Sequence, residues 1–212
     1  METDVFTWKW SVILLFAGGI LFWIGAFTPP YKQWTTSDTG EYLRIIHSHK
    51  TNWYVIHAFF LLGVIISLMG FQSLFGAFES NEKSRTLYSF ANSAYMAATI
   101  FWIINIAFRV TFTMWVANNQ AEKGEIYTTF KSWNDWSNLL FAIYMILAYF
   151  SLGMLGVLFL HIGWIPSWTA WFFVVFGFAG IPAYLIRVPL WDPPLMVHLP
   201  FLILGIIYFI KG

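Results

Sequence analysis

A single arginine inside a long apolar stretch does most to limit what this chain can fold into. Residues 92–118 are filled with Ile, Phe, Ala and Met, and Arg109 stands among them. Asn92, Tyr95, Thr99, Trp102, Arg109 and Thr113 recur at steps of three, four and seven, with Asn105 beside the row. Such spacing puts them on one face of a helix. In a bilayer that face must turn inward, because a charge or amide facing lipid costs a few kcal/mol on insertion scales. The helix therefore needs neighbours on its polar side, and the chain is expected to be a bundle built around it.

Composition supports a membrane setting. Apolar residues make up 59% of the 212 and charged residues only 10%, against about 25% charged in soluble domains. A single water-facing core of this size could not hide so much apolar surface. Aromatics reach 22%, with 13 Trp, a residue that favours membrane interfaces. The net charge of +1 provides no basic face for nucleic acid. The absence of cysteine removes disulfides, thiolate catalysis and the usual iron–sulfur ligation.

Hydrophobic runs predict about six spans in one integral membrane domain, residues 1–212. Residues 10–27 form the first; acidic Glu2 and Asp4 and the lack of a cleavage motif argue against a signal peptide. The others are expected at residues 53–78, 92–118, 135–160, 168–186 and 195–210. Pro182 is expected to kink the fifth. The sixth, about 16 residues long, falls short of the roughly 20 of a full span, so Asp192 is expected to cap an earlier start before Pro193 and Pro194. On the second helix His57, Phe60, Gly63, Ser67 and Gly70 share a face, where small residues admit a neighbouring backbone. The expected class is thus an all-α polytopic transmembrane bundle with both termini on one side.

The two sides are unequal. Residues 31–52 and 119–134 are expected to be longer polar loops on one side, while the other has only short turns such as residues 79–85. Lys9, Lys83, Arg85 and Lys211 lie on the termini side. Lys32, Arg44, Lys50, Lys123, Lys131 and Arg187 lie opposite, over longer loops. Count and density of positive charge point in opposite directions; density places the termini in the cytoplasm, in a bacterial or organellar inner or plasma membrane. Alternating directions bring His57, His198, Arg109, Arg187 and Asp135 to the loop-rich end, with only His161 at the other.

Three constellations follow. His57 and His198, each about one turn into its helix, are placed to ligate a b-type haem between helices, with Arg109 or Arg187 to pair with a propionate and Trp102 on the same polar row. Alternatively Arg109 anchors an anion or a quinone headgroup, or pairs with Asp135 or Glu41. Glu41, His47 and His49, with His57, form a possible zinc, copper or iron site, although their spacing matches no metalloprotease motif. No G-x-S-x-G elbow or glycine-rich phosphate loop is present, so a stand-alone enzyme is not expected.

The function expected from these features is an integral, mainly structural subunit of a respiratory or photosynthetic electron-transfer complex. It would sit in the lipid bilayer among other membrane subunits and contact a haem, quinone or pigment at the loop-rich face. The alternative is a small transporter or channel with a polar path along the third helix, for which the interrupted fifth and short sixth helices would line the site.

Overall fold

In the computed structural model every regular element among the described residues is helical. The structure describes residues 2–34, 36–74, 82–124 and 128–211. The main helices are α1 (Glu2–Ala26), α2 (Thr39–Ser48), α3 (Lys50–Ser73), α4 (Glu82–Phe108), α5 (Met114–Lys123), α6 (Phe130–Ile162), α7 (Ser167–Leu185) and α8 (Leu199–Lys211). A π-helical turn, Arg109–Thr113, joins α4 to α5, and a 3₁₀ turn, Pro194–His198, leads into α8. Five helical stretches among the described residues are long and apolar enough to cross a membrane, and Pro194–Ile210 is a shorter apolar helix beside them. The chain is an all-α polytopic bundle.

The passes pack in the ring order α8, α1, α3, α4, α6, α7, with α7 meeting α8 again. Two glycine seams bring backbones together. A Cβ on Gly18 of α1 would lie 2.7 Å from the Gly63 carbonyl oxygen of α3, and one on Gly70 would lie 2.9 Å from Leu15. The small-residue face expected on the second helix is therefore a packing face. The second seam joins α6 and α7, where a Cβ on Gly177 would stand 2.6 Å from the Gly153 Cα and 2.7 Å from the Tyr149 carbonyl oxygen. Close backbone approach replaces the hydrophobic drive that is missing between helices in lipid.

Side chains sort by face as the periodicity of α4 requires. Tyr95, Thr99, Trp102, Asn105 and Ile106 are buried, while Met96, Ile100, Ile103 and Ile104 are exposed toward the surrounding lipid. Ile20, Leu62, Met69, Leu139, Val175 and Phe178 continue the outward apolar belt. Trp8 near the start of the chain and Tyr208 near its end line one cavity with Trp164 and Leu204, about 200 Å³ in volume. The two ends of the chain thus share a side of the bundle.

Three expectations need correction. The stretch 31–52 is not an open loop: Asp38 caps α2, with the Glu41 amide donating to its carboxylate at 2.6 Å, and this short amphipathic helix buries Leu43 and Ile46. The loop expected over residues 119–134 is mostly helix, because the third pass continues through the π turn to Lys123 and α6 begins at Phe130. Glu82–Lys123 is 42 residues long, roughly 60 Å at 1.5 Å per residue, so it rises well past a hydrocarbon layer of about 30 Å. Asp192 does not cap the sixth pass; Pro193 occupies that position, without a side-chain cap. Pro182 lies within α7 without ending it. Phe78, the expected end of the second span, and Glu79 to Asn81 lie outside the described residues, as does Glu125.

The α6–α7 seam yields a stability prediction. Gly177→Val would drive a branched side chain into the Gly153 backbone, which cannot yield, and should destabilise the bundle by about 3 kcal/mol. Ala179→Val, on the exposed side of α7, should stay within about 0.5 kcal/mol. Thermal unfolding of both variants in one detergent checks the difference.

Candidate functional site

The polar residues gather at the loop-rich end, on two levels. The outer level centres on Arg109, at the first position of the π turn. Its Nη1 donates to Tyr42 Oη at 2.9 Å and to Asn134 Oδ1 at 2.8 Å, and its Nη2 donates to Asn138 Oδ1 at 2.7 Å. Tyr42 comes from α2, and Asn134 and Asn138 stand one turn apart on α6. A π turn lets a carbonyl leave the regular ladder; the Arg109 oxygen accepts from the Trp53 indole Nε1 at 3.1 Å. Three β-branched residues, Val110, Thr111 and Thr113, crowd this turn and disfavour regular helix. α2 and α6 therefore meet the π turn at one guanidinium, while α3 reaches its backbone oxygen.

Around it lies a small separate core that binds the cap to the bundle. Leu43, Ile46, Trp53, Met114, Val116, Ala117 and Phe130 are all buried there, with Tyr42 and Phe112 packed against them.

The inner level is a buried aromatic cluster with a few polar atoms. His57 Nδ1 lies 2.7 Å from the Trp53 carbonyl oxygen. A carbonyl only accepts, so the imidazole proton sits on Nδ1 and the Nε2 lone pair is left bare. His198 stacks on Phe22 with centroids 4.0 Å apart, and its Nε2 is 3.2 Å from Tyr144 Oη. Trp102 stacks on Tyr144 at 4.6 Å and touches the rings of Phe22 and Phe60. Asn105 ties α4 to α6, donating from Nδ2 to Ser137 O at 2.6 Å and to Ser137 Oγ at 2.8 Å. Among the described residues, His198 Nδ1, Trp102 Nε1 and Thr113 Oγ1 are buried without hydrogen-bond partners.

α1 is a ruler for depth. Gly25 lies against Ile56 and Phe60, whereas Gly19 lies against His198 and Leu202. Six residues of α1 separate the two levels, so His198 sits about 9 Å deeper than the Ile56–Phe60 turn of α3, which carries His57. The two imidazoles share the loop-side half of the bundle but differ in depth. Phe60 and Phe22 pack between them, with centroid steps of 6.1, 4.6 and 4.0 Å from His57 to His198. A haem ligated by both would require these rings to move.

The other expected site residues scatter. Arg187 is exposed at the end of α7, where it adopts the left-handed conformation with φ 57°, and it does not join Arg109. Asp135 is exposed, and Glu41 accepts from Thr36 Oγ1 at 3.1 Å, so neither pairs with Arg109. His47 Nδ1 contacts Asn118 Oδ1 at 2.9 Å, while His49 Nδ1 lies 2.9 Å from Ser48 Oγ. Among the described residues no three His, Asp or Glu side chains are grouped to hold a metal ion. Glu41, His47 and His49 belong to one short helix and its cap and do not converge.

Sequence reasoning missed Tyr42, Trp53, Asn134, Asn138 and Tyr144. Two signals were present: Asp38 and Glu41 stand at capping-box spacing, and Asn134 and Asn138 lie four apart at the head of an apolar run. Comparisons with family models, characterised proteins and solved structures found no match.

The Asn105–Ser137 clamp can be weighed directly. A double-mutant cycle with Asn105→Ala and Ser137→Ala, followed by unfolding in detergent, isolates the Oγ bond, because the Ser137 carbonyl survives in every variant. The expected coupling is roughly 1 kcal/mol, within the range of hydrogen bonds between membrane helices.

Proposed function

We propose that this chain is an integral membrane subunit of a multi-subunit electron-transfer assembly. Its role is to hold neighbouring subunits in the bilayer and to contact a quinone or pigment at its loop-rich face. One observation carries the proposal. A continuous series of rings leads inward from the cap: Tyr42 to Trp53 at 6.2 Å, Trp53 to His57 at 4.2 Å, His57 to Phe60 at 6.1 Å, Phe60 to Trp102 at 5.8 Å, and Trp102 to Tyr144 at 4.6 Å. Trp and Tyr are the oxidisable members. The series ends at a phenol within hydrogen-bond reach of an imidazole, the arrangement that lets a tyrosine release its proton when an electron leaves.

The same packing weighs against a solute path. The inward face of α4 is closed by Phe22, Phe60, Phe141 and Tyr144 around Trp102, and Asn105 is spent on Ser137. A haem shared between His57 and His198 is not included in the proposal, since Phe22 and Phe60 stand between them.

Purification in a gentle detergent, with a partner inventory by mass spectrometry, tests the assignment. Redox-active membrane subunits should co-purify. Tyr144→Phe should leave that assembly intact and slow its electron transfer several-fold. A chain that purifies alone and drives solute flux in reconstituted vesicles would overturn the proposal.

A further inference from the structure

We infer that Arg109 and its cradle bind the phosphate of an anionic phospholipid at the loop-rich face. This site is independent of the electron-transfer proposal. A guanidinium has five N–H groups and a fixed positive charge. Three are used by Tyr42, Asn134 and Asn138, all neutral oxygens. Among the described residues no carboxylate lies within ion-pair distance of Arg109, and two of its N–H groups have no partner. The cradle thus fixes the orientation of the fork without neutralising it, and a half-buried cation at a membrane surface needs an anion from outside.

Depth identifies the anion. Arg85 marks the short-loop end of α4, and Arg109 follows 24 residues later on the same helix. At 1.5 Å per residue the separation is about 36 Å, a hydrocarbon layer of about 30 Å plus a few ångströms of the opposite headgroup zone. Arg109 is therefore level with lipid phosphates.

Exposed rings mark the same level. Trp133 and Trp136, 49% and 41% exposed, flank Asn134 on α6 with their rings 5.9 Å apart. Phe112 of the π turn packs beside Trp133 at 6.1 Å. This is an interfacial aromatic belt, and it provides an apolar shelf for the glycerol backbone and upper acyl chain. A phosphodiester offers two anionic oxygens to the remaining N–H groups of the fork. A free phosphate ion would use the same donors but has nothing to lay on the shelf.

The test is native mass spectrometry and thermal unfolding of the delipidated protein, titrated with phosphatidylglycerol, phosphatidylcholine or inorganic phosphate. Phosphatidylglycerol should bind about tenfold more tightly than phosphatidylcholine, the margin of one good charge-assisted pair, and should raise the unfolding temperature. Arg109→Gln should abolish the preference. Because that variant also loses three hydrogen bonds, Asn138→Asp provides the second arm: it keeps the fold, supplies an internal counter-charge, and should remove the preference without lowering thermal stability. Asn138→Asp that still prefers phosphatidylglycerol tenfold would overturn the inference. Equal binding of the two lipids by the unaltered protein would do the same, as would an equal thermal shift from inorganic phosphate alone.

Discussion

The structure depends on one constraint: inside a bilayer, each polar group carried by α4 must find its partner within the protein. The helix meets most of that demand by turning one face to its neighbours, with Trp102 Nε1 left without a partner among the described residues, and by keeping the other face apolar from Met96 to Ile104. Met96, Ile100, Ile103 and Ile104 face out, while Tyr95, Thr99, Trp102 and Asn105 face in. Asn105 is satisfied by Ser137 on α6, and Thr99 by the Tyr95 carbonyl oxygen at 2.9 Å. The two glycine seams make this possible at the bundle level. They hold α1 against α3 and α6 against α7, and α4 lies against one member of each pair. Its polar face is thereby enclosed by two tight units rather than by loosely packed single helices.

This arrangement explains which parts of the fold were legible in the sequence. The inward row of α4 and the small face of α3 were readable because membrane helices advertise their orientation through period and residue size. The α6–α7 seam has the same signature, Gly153 meeting Gly177 while Gly156 lies against Val174 and Gly180 against Tyr149, but in a strongly apolar context nothing marks which glycines meet. The cap was harder still. Its helices are short, and stretches rich in Asn, Lys and Glu read as loop when the surrounding spans are so apolar. Besides the Asp38 cap of α2, burial beside Trp53 and Phe130 supports α2 and α5, and that tertiary contact leaves no local pattern.

The candidate site was half legible for a related reason. Arg109, His57, His198 and Trp102 were found because a charged or polar residue in an apolar run needs an explanation. Their partners were not. Asn134, Asn138 and Tyr42 stand in polar surroundings where an amide or a phenol is ordinary, and their role appears only when three elements converge on the guanidinium. Pairing by charge pointed to Asp135 and Glu41. The geometry selects their neighbours instead: helical steps of one turn carry Asn134 and Asn138 toward α4, while Asp135, between them in sequence, is rotated away by about 100°.

The substitution of amides for carboxylates around Arg109 has an electrostatic consequence. An aspartate at position 134 or 138 would hold the guanidinium by an ion pair and leave the region neutral, closing it to external anions. Asparagine has nearly the same shape, accepts the same hydrogen bonds, and leaves a full positive charge in place. At half burial, where the effective dielectric is well below that of water, that charge reaches further than an exposed lysine's. The cradle therefore fixes the direction of the cation and preserves its charge at once. A purely structural clamp would need only the first, and that difference makes the loop-rich rim a binding surface rather than a strut.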